Sequence, residues 1–435
     1  MELTHTPDAA HPPTPSWVID QSILEQLLGS FHQALATHWP HSLLAYSFKT
    51  NSLPWLISFM RDRGAWAEVV SDTEYELALA LGYTPDRIVY NGPIKTRESL
   101  RSAVLDGAIV NLDAKREVIW AAELARELPE RDIAVGLRVN WSLEDWAPDE
   151  SITDGDGSRF GFNVDNGEFD DAVQLLHDAG ARVAGVHMHR NSKHQSVDVY
   201  RASASVAADL IRTHGLDLDW VDVGGGFFGG LNISPSFDDY VRAVKDILDS
   251  VIDIERTRLI VEPGASLVAL PFEFHAEVLD VKDIDGRRHV VTNTSRIDID
   301  PRYRRQRPFQ TAVEPDSAAP VMAEQHLGGF TCMEDDRIMV MRDERELQIG
   351  DRIIFYRVGG YTMCFRPLFI EFLPEVYVRN DGELTRVRRR WGIQDFLQGN
   401  SWEEAGELVS TDSCSVAVTK QVPGSPKSCT LPGTG

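Results

Sequence analysis

Hydrophobic residues in the first 270 positions fall into two alternating kinds of segment. Short apolar or β-branched runs that end in Gly, Asn, Ser or Asp alternate with stretches that carry apolar residues at helical spacing. The short runs predict eight strands, at 43–49, 65–71, 87–93, 108–113, 133–140, 183–190, 218–226 and 259–264. Helices are predicted between them, at 73–81, 97–105, 115–128, 169–179, 200–214 and 237–251. This alternation predicts a (β/α)8 TIM-like barrel over residues 41–271, with its site at the carboxyl ends of the strands.

A different pattern begins after residue 271. Strands are predicted with no long helix between them, at 272–281, 289–293, 337–341, 351–358 and 375–379. Asp285-Gly286 and Asp381-Gly382 are dipeptides typical of tight hairpin turns. Residues 272–409 are therefore predicted to form a separate C-terminal β domain, either a β-barrel or a β-sandwich.

The two ends of the chain follow neither pattern. We expect residues 1–40 to form an N-terminal segment that packs with the β domain. Residues 410–435 are rich in Ser, Thr, Pro and Gly and lack core-forming periodicity, which predicts a disordered tail.

Charge and composition narrow the function. The 435 residues include 43 basic and 67 acidic side chains, so the net charge is −24, and such a surface repels nucleic-acid phosphates and anionic membranes. The sequence has no apolar run that would span a bilayer, and its first residues lack the pattern of a secretory signal. Its four cysteines form neither a disulfide framework nor a metal-ligand spacing. We therefore expect a cytoplasmic protein that binds a small molecule, with no metal, no membrane and no nucleic-acid partner.

Two predicted strands end in residues that suit an aldehyde cofactor. Lys49 ends the first strand, where burial lowers the pKa of an amine and favours imine formation. The alternative is a lysine whose amine reaches solvent at the barrel rim. Glu262 ends the eighth strand, where its carboxylate can bind a pyridine nitrogen or pair with a neighbouring strand.

The sixth and seventh strands end in residues suited to a ring and a phosphate. His189 can stack on a flat ring, although a hydrogen-bonded core histidine is the commoner role. Gly224-Gly225-Gly226 let backbone N–H groups approach an anion, although such a triplet alone also marks a tight turn. Because the strands of a barrel end at one rim, we expect these residues to lie together.

These residues belong to an ordered series of motifs that covers roughly residues 40–375. The series resembles that of the fold-type III pyridoxal-phosphate (PLP) decarboxylases, the family of diaminopimelate and eukaryotic-type ornithine decarboxylases. The matching segments are Tyr46-Ser47-Phe48-Lys49-Thr50-Asn51 for Y-A-x-K-x-N, Ser71-x-x-Glu74 for S-x-x-E, Gly92-Pro93-x-Lys95 for G-P-x-K, Arg159-Phe160-Gly161 for K-F-G, His189-x-x-Ser192 for H-x-G-S, the glycine triplet, Glu262-Pro263-Gly264, Cys332-x-x-x-Asp336 for C-x-x-x-D, and Gly360-Tyr361 for G-A-Y.

The resemblance implies a role for each of several residues. Lys49 would bind PLP as a Schiff base, His189 would stack on its ring, and Glu262 would pair with the pyridinium. The implied phosphate ligands are Ser192, Gly225, Gly226 and Tyr361. Cys332 would come from the second subunit of a head-to-tail homodimer and protonate the carbanion after carbon dioxide leaves.

The chain also departs from the family pattern, mainly in its substrate-binding half. The departures are Asn191 for the Gly of H-x-G-S, Ala265 for the Arg of E-P-G-R, Met333 for the acidic residue after the Cys, and Cys364-Phe365-Arg366-Pro367 after G-A-Y. We therefore predict PLP-dependent decarboxylation of an unusual amino acid or amino-acid conjugate. Specialised biosynthesis, such as that of a siderophore or an antibiotic, is the expected setting.

Residues 302–308 carry four arginines in an otherwise acidic protein. By the resemblance, this segment lies where diaminopimelate enzymes contact the far carboxylate of the substrate. Because arginine pairs bidentately with carboxylates, Arg302 and Arg304 are predicted to bind an extra anionic group of the substrate. Glu334 is a further candidate for substrate binding. The alternative is a basic loop exposed to solvent.

Two other functions remain open at this stage. A racemase of the alanine-racemase type shares the barrel, but it needs a catalytic Tyr on the opposite face. A non-catalytic homologue that binds or regulates partners would lose cofactor contacts, and the retention of Lys49, His189 and Glu262 argues against it.

Overall fold

A computed structural model describes residues 11–152, 157–305, 307–314 and 318–400. The predicted tail at 410–435 lies outside these residues. The described chain up to Arg390 forms one compact unit, and the short helix Ile393–Leu397 belongs to a second. None of the described helices is long and apolar enough to cross a membrane.

The described chain starts with one strand and one long helix. Strand β1 spans Ser16–Asp20 and helix α1 spans Gln21–His38. The Asp20 carboxylate accepts a hydrogen bond from the Ile23 amide at 3.1 Å, so this residue caps the helix.

Eight parallel strands then form the predicted barrel, and a short ninth strand attaches to it. Their bounds are β2 (Ser42–Ser47), β3 (Trp66–Val69), β4 (Ile88–Tyr90), β5 (Ile109–Leu112), β6 (Ala134–Asn140), β7 (Phe162–Asn163), β8 (Arg182–His187), β9 (Trp220–Asp222) and β10 (Arg258–Val261). The order is β5-β4-β3-β2-β10-β9-β8-β6, and pairing of β5 with β6 closes the circle. The predicted TIM-like barrel is confirmed.

Helices surround the barrel between its strands. They are α2 (Pro54–Asp62), α3 (Asp72–Ala80), α4 (Arg97–Leu105), α5 (Lys115–Glu127), α6 (Leu143–Trp146), α7 (Glu168–Asp178), α8 (Val197–His214), α9 (Phe237–Leu248) and α10 (Ala265–Val268). The S-x-x-E motif begins α3 as a capping arrangement. Ser71 Oγ accepts from the Glu74 amide, and Glu74 Oε2 accepts from the Val70 amide at 2.9 Å.

The remaining strands form a second, mixed sheet apart from the barrel, which confirms the predicted fold class of a barrel followed by a β region. Its strands after the barrel are β11 (Phe272–Ile284), β12 (Arg287–Thr292), β13 (Thr311–Glu314), β14 (Val321–Gly328), β15 (Arg337–Arg345), β16 (Arg352–Tyr356), β17 (Glu375–Asn380) and β18 (Glu383–Arg388), with the short helix α11 (Arg296–Ile299). Strand β1 lies between β11 and β17, antiparallel to the first and parallel to the second. The N-terminal strand is thus hydrogen-bonded into this sheet.

Besides β1, three strands of this sheet were not predicted from the sequence pattern. Strand β13 has only half-buried positions, and β14 is buried only near its end. Strand β18 lies at the sheet edge and is mostly polar. Such strands lack the regular apolar alternation by which a half-buried strand is recognised.

The barrel interior changes from apolar to polar along its strands. One buried apolar cluster inside it contains Leu43, Ala45, Val89, Ile109, Trp220 and Ile260. The buried polar residues at or near the carboxyl ends include Glu68, Asn91, Asn111, Asp222 and Glu262. Buried polar groups of this kind mark the functional end of a barrel.

Candidate active site

Lys49 lies in a single 3-10 turn, Phe48–Thr50, directly after strand β2. The buried Tyr46 hydroxyl donates to the Asn51 carbonyl at 2.8 Å. The Asn51 side chain donates to the Gly359 carbonyl at 3.0 Å and accepts from the Leu53 amide. The residues of this motif therefore hold the turn that presents the lysine.

Burial lowers the Lys49 pKa, as expected, but the carboxylates of Glu68 and Glu262 outweigh it and raise the pKa above its ordinary value. The expected net lowering of this pKa is therefore wrong. The lysine Nζ lies 2.5 Å from Glu68 Oε2, and the Glu68 side chain is only 1% exposed. A carboxylate with so little solvent around it attracts a cation strongly, so the free amine is held as an ammonium.

Asparagine side chains connect the carboxylates at the barrel centre. The Asn91 amide donates to Glu68 Oε1 at 3.1 Å and also to Glu262. Asn111 donates to Asn91 at 2.9 Å and to Asp222 at 3.1 Å. Of these residues, the sequence analysis identified only Glu262. The others could have been found, because each is a polar side chain at the end of an apolar run.

Glu262 directly follows strand β10 and is 4% exposed. Its Oε2 lies 3.5 Å from His187 Nε2. Burial raises a carboxyl pKa, but the contact with His187 and the nearby Lys49 lower the Glu262 pKa below its ordinary value. Glu262 is therefore an ionised carboxylate, which is the form that binds a protonated ring nitrogen.

The glycine triplet lies against His189. The Gly225 amide donates to His189 Nδ1 at 3.2 Å, so the ring proton is on Nε2. A Cβ on Gly224 would lie 2.4 Å from the His189 Cβ, and one on Gly225 would lie 2.3 Å from the Glu262 carbonyl oxygen. Burial and the Arg138 charge lower the His189 pKa to about 3. The imidazole is therefore neutral, as stacking on a cationic ring requires.

These groups meet at a cavity of about 390 Å³. Its wall includes Lys49, His189 and Glu262 from three different strand ends, together with Glu68 and Arg138. An amine, a buried ionised carboxylate, a neutral imidazole and an adjacent glycine loop match the aldehyde, ring nitrogen, ring face and phosphate of PLP. The residues present therefore fit this cofactor.

Arg138 is a cavity residue that the sequence did not single out. Its guanidinium donates to the buried Asp113 carboxylate at 2.7 Å and lies 4.6 Å from the centre of the Phe160 ring. Asp113 also accepts from the Gly161 amide at 3.1 Å. The K-F-G-like segment thus packs around an arginine whose charge is already paired.

Tyr361 and two predicted substrate residues border a second cavity of about 250 Å³. Arg302 and Arg304 line it, and the Arg302 guanidinium lies 4.9 Å from the centre of the Tyr361 ring. The Tyr361 amide donates to the Thr50 carbonyl at 2.9 Å, beside Lys49. Tyr361 therefore connects the second cavity to the turn that carries Lys49.

The remaining predicted site residues do not line either of these two cavities. Ser192 is half-buried in the connection after strand β8. Cys332 and Glu334 are exposed on the connection between β14 and β15 and line neither cavity. Asp336 supports this connection, because its carboxylate accepts from Thr331 Oγ1 at 2.7 Å and from Ser295 Oγ at 2.8 Å. One chain alone does not bring Cys332 to Lys49.

Comparison with known proteins agrees with this geometry. Residues 24–269 match the family described as pyridoxal-dependent decarboxylase, pyridoxal binding domain. A probable chloroplastic diaminopimelate decarboxylase of Oryza sativa is 28% identical over 374 residues, 82% of this chain and 74% of the relative. Diaminopimelate decarboxylase of Aquifex aeolicus is 25% identical over 394 residues, 87% of this chain and 89% of the relative.

Solved structures show the same fold. Diaminopimelate decarboxylase of M. jannaschii superimposes with a TM-score of 0.78 at 21% identity, over 90% of this chain and 93% of that one. The Helicobacter pylori enzyme complexed with L-lysine gives 0.73 at 21% identity, over 89% of this chain and 96% of that one.

Proposed function

The chain belongs to the pyridoxal-dependent decarboxylases, and on that premise we propose that its substrate is an amino acid with a second acidic group. It is a PLP-dependent carboxy-lyase that acts on an amino acid. The observation that supports the finer proposal is the cavity in which Lys49, Glu262 and His189 meet, with arginines around it.

The cofactor half of the site has a role for each residue. PLP, when bound, supplies an aldehyde for amines and a ring that accepts the electrons released as carbon dioxide leaves. Lys49 would hold the cofactor, and Glu68 Oε2 would take the proton that the Lys49 amine must lose. Glu262 would keep a proton on the ring nitrogen, and the neutral His189 imidazole would pack on the ring. The proposed phosphate ligands are Ser192, Gly225, Gly226 and Tyr361.

A second copy of the chain supplies the group that returns a proton. Cys332 is exposed on a connection supported by Asp336, outside the cavity of its own chain. We therefore propose a homodimer in which Cys332 of one protomer completes the Lys49 site of the other. The Cys332 thiol would deliver the proton to the carbon that loses carbon dioxide.

The substrate half supports an acidic substrate. The named activity of several relatives is on diaminopimelate, an amino acid with two carboxylates. Arg302 and Arg304 line the cavity next to Tyr361, where they attract such a group. Glu334, near Cys332, is the proposed partner of a distal ammonium. Because Met333 and Ala265 replace family side chains, we propose a related but different substrate, as expected in specialised biosynthesis.

The activity is tested by purifying the protein with PLP and measuring carbon dioxide release from free diamino acids and from carboxylate-bearing analogues. We expect an imine absorption band that Lys49→Ala abolishes, and a higher kcat/KM for the carboxylate-bearing compounds. Arg302→Ala and Arg304→Ala should lower that preference, and Arg287→Ala, at an exposed position of strand β12, should not.

The same assay contains the contrary outcomes. If lysine or ornithine is the best substrate and neither arginine change matters, the acidic-substrate proposal fails. Loss of optical activity without carbon dioxide release would identify a racemase instead. An absent imine band in the PLP-treated wild type would identify a non-catalytic homologue.

A further inference from the structure

Five charged side chains line the Lys49 cavity, and four of them are engaged. The Lys49 amine lies against Glu68, Arg138 against Asp113, and Glu262 against His187. Arg190 is the fifth, and it follows His189 directly. Among the described residues no carboxylate lies within ion-pair distance of its guanidinium, which also makes no side-chain hydrogen bond.

The Arg190 guanidinium is partly shielded from water at the cavity. It is half-buried, and its carbon atom lies 5.5 Å from the centre of the Trp141 ring, which is 1% exposed. Burial lowers the Arg190 pKa below its ordinary value, and the carboxylate of Glu144, which lies beyond ion-pair distance, opposes this shift without cancelling it. The Arg190 charge faces the Trp141 ring, but among the described residues no side chain accepts a hydrogen bond from its five donors, and an anion at the cavity could accept two of them at once.

The surroundings suit an organic acid. Leu143 and Ile152 contribute apolar surface to the same cavity, and Asn191 adds an amide next to Arg190. The glycine loop beside His189 is available for the phosphate of the cofactor. The carboxylate of an aliphatic acid would therefore bind the Arg190 guanidinium, and its carbon chain would contact the apolar surface of the cavity.

We propose that Arg190 is a specificity-determining residue that binds the second acidic group of the substrate, inside the Lys49 cavity and next to the ring. This inference rests on the proposed function and locates its acid-binding group. It assigns the direct contact with that group to Arg190, whereas Arg302 and Arg304, which line the neighbouring cavity, attract the group from a longer distance.

Non-reacting probes of the holoenzyme test the inference without turnover. Glutarate has two carboxylates and pentanoate has one, and neither carries an amine. Their dissociation constants are measured by calorimetry and by the shift that each causes in the visible absorption of the bound cofactor. We expect wild type to bind glutarate about tenfold or more tightly than pentanoate, as a bidentate arginine–carboxylate contact allows.

Three variants separate the explanations. Arg190→Gln should abolish the preference for glutarate. Arg190→Lys should retain part of it, because an ammonium keeps the positive charge but cannot form the two parallel hydrogen bonds of a guanidinium. Arg201→Gln is the control, since Arg201 is exposed on helix α8 and pairs with Asp198 at 2.6 Å. It should bind both probes as wild type does.

The contrary results are equally specific. An unchanged glutarate preference in Arg190→Gln overturns the inference, as does loss of that preference only in Arg302→Ala. If Arg190→Gln loses PLP, with an unchanged probe preference in the fraction that keeps it, the residue binds the cofactor phosphate instead. Failure of the proposed function would appear separately, as no carbon dioxide release from any amino acid.

Discussion

The pKa values of two neighbouring carboxyl groups at the barrel centre, Asp222 and Glu262, are shifted in opposite directions. Burial and the Glu262 charge raise the Asp222 pKa well above its ordinary value. Burial acts on Glu262 in the same direction, but His187 and Lys49 outweigh it and lower the pKa. The two pKa values therefore move apart, which favours the protonated form of Asp222 and the ionised form of Glu262. Such divergent pairs are characteristic of sites that handle protons.

At the residue scale we predict that Glu262→Gln keeps bound PLP but slows decarboxylation by about a hundredfold or more, a typical loss for a proton-handling group. A neutral amide cannot hold the ring nitrogen protonated, whereas Lys49 still retains the cofactor. The measurements are the imine band and kcat under saturating substrate. Glu255→Gln, at an exposed position before strand β10, is the control, and equal kcat in both variants would refute the role of Glu262.

At the scale of elements, the G-P-x-K motif joins two strands and a helix. Lys95 is fully buried and donates to the Gly92 carbonyl at 2.6 Å, the Asn111 carbonyl at 2.9 Å and Glu117 Oε2 at 3.1 Å. Glu117 lies in α5 and also accepts from the Asp113 amide. The lysine thus holds the ends of β4 and β5 at the level of the site, and its role is structural.

We predict that Lys95→Met lowers the free energy of unfolding by about 3–5 kcal/mol, because it leaves the buried Glu117 carboxylate unpaired. Urea unfolding measures the change. Lys115→Met is the matched control. Lys115 also pairs with a glutamate, Glu168, but its side chain is 74% exposed. Exposed pairs of this kind contribute about 0–1 kcal/mol to the free energy of unfolding. The double variant Lys95→Met/Glu117→Leu should recover part of the loss. An effect of Lys95→Met no larger than that of the control would contradict the prediction.

At the scale of the whole molecule, the two sheets carry different residues of the proposed site. The barrel provides Lys49, His189 and Glu262, and the second sheet carries Cys332 on a connection between two of its strands. Because Cys332 lines neither cavity of its own chain, the proposed site is complete only when a second copy contributes the thiol.

Subunit mixing tests that arrangement. Lys49→Ala and Cys332→Ala proteins are each expected to be nearly inactive, and equal amounts should regain activity after exchange. Random association makes about half of the dimers mixed, each with one intact site, so about a quarter of the sites should recover. Exchange is verified independently with differently tagged chains. Demonstrated exchange without recovery would mean that Cys332 does not act across the dimer.

The amino-acid sequence by itself determined the barrel and the positions of the residues proposed to bind the cofactor. Its eight strands follow from local apolar runs, and the carboxyl ends of parallel strands must meet at one rim. Lys49, His189 and Glu262 could therefore be placed together, although they are far apart in the chain. The hairpin turns at Asp285-Gly286 and Asp381-Gly382 were also predicted from local sequence alone. All four residues have the positive φ that such turns require.

Only the tertiary structure decided which charges meet. The Lys49 pKa is raised because Glu68 approaches it from another strand, and a sequence pattern carries no distance between side chains. The pairing of β1 between β11 and β17 joins segments more than 250 residues apart. Among the described residues, the lack of an ion pair at Arg190 likewise depends on where each neighbouring carboxylate lies. Local periodicity reports which face of an element is buried, whereas protonation and pairing depend on contacts between elements that only folding brings together.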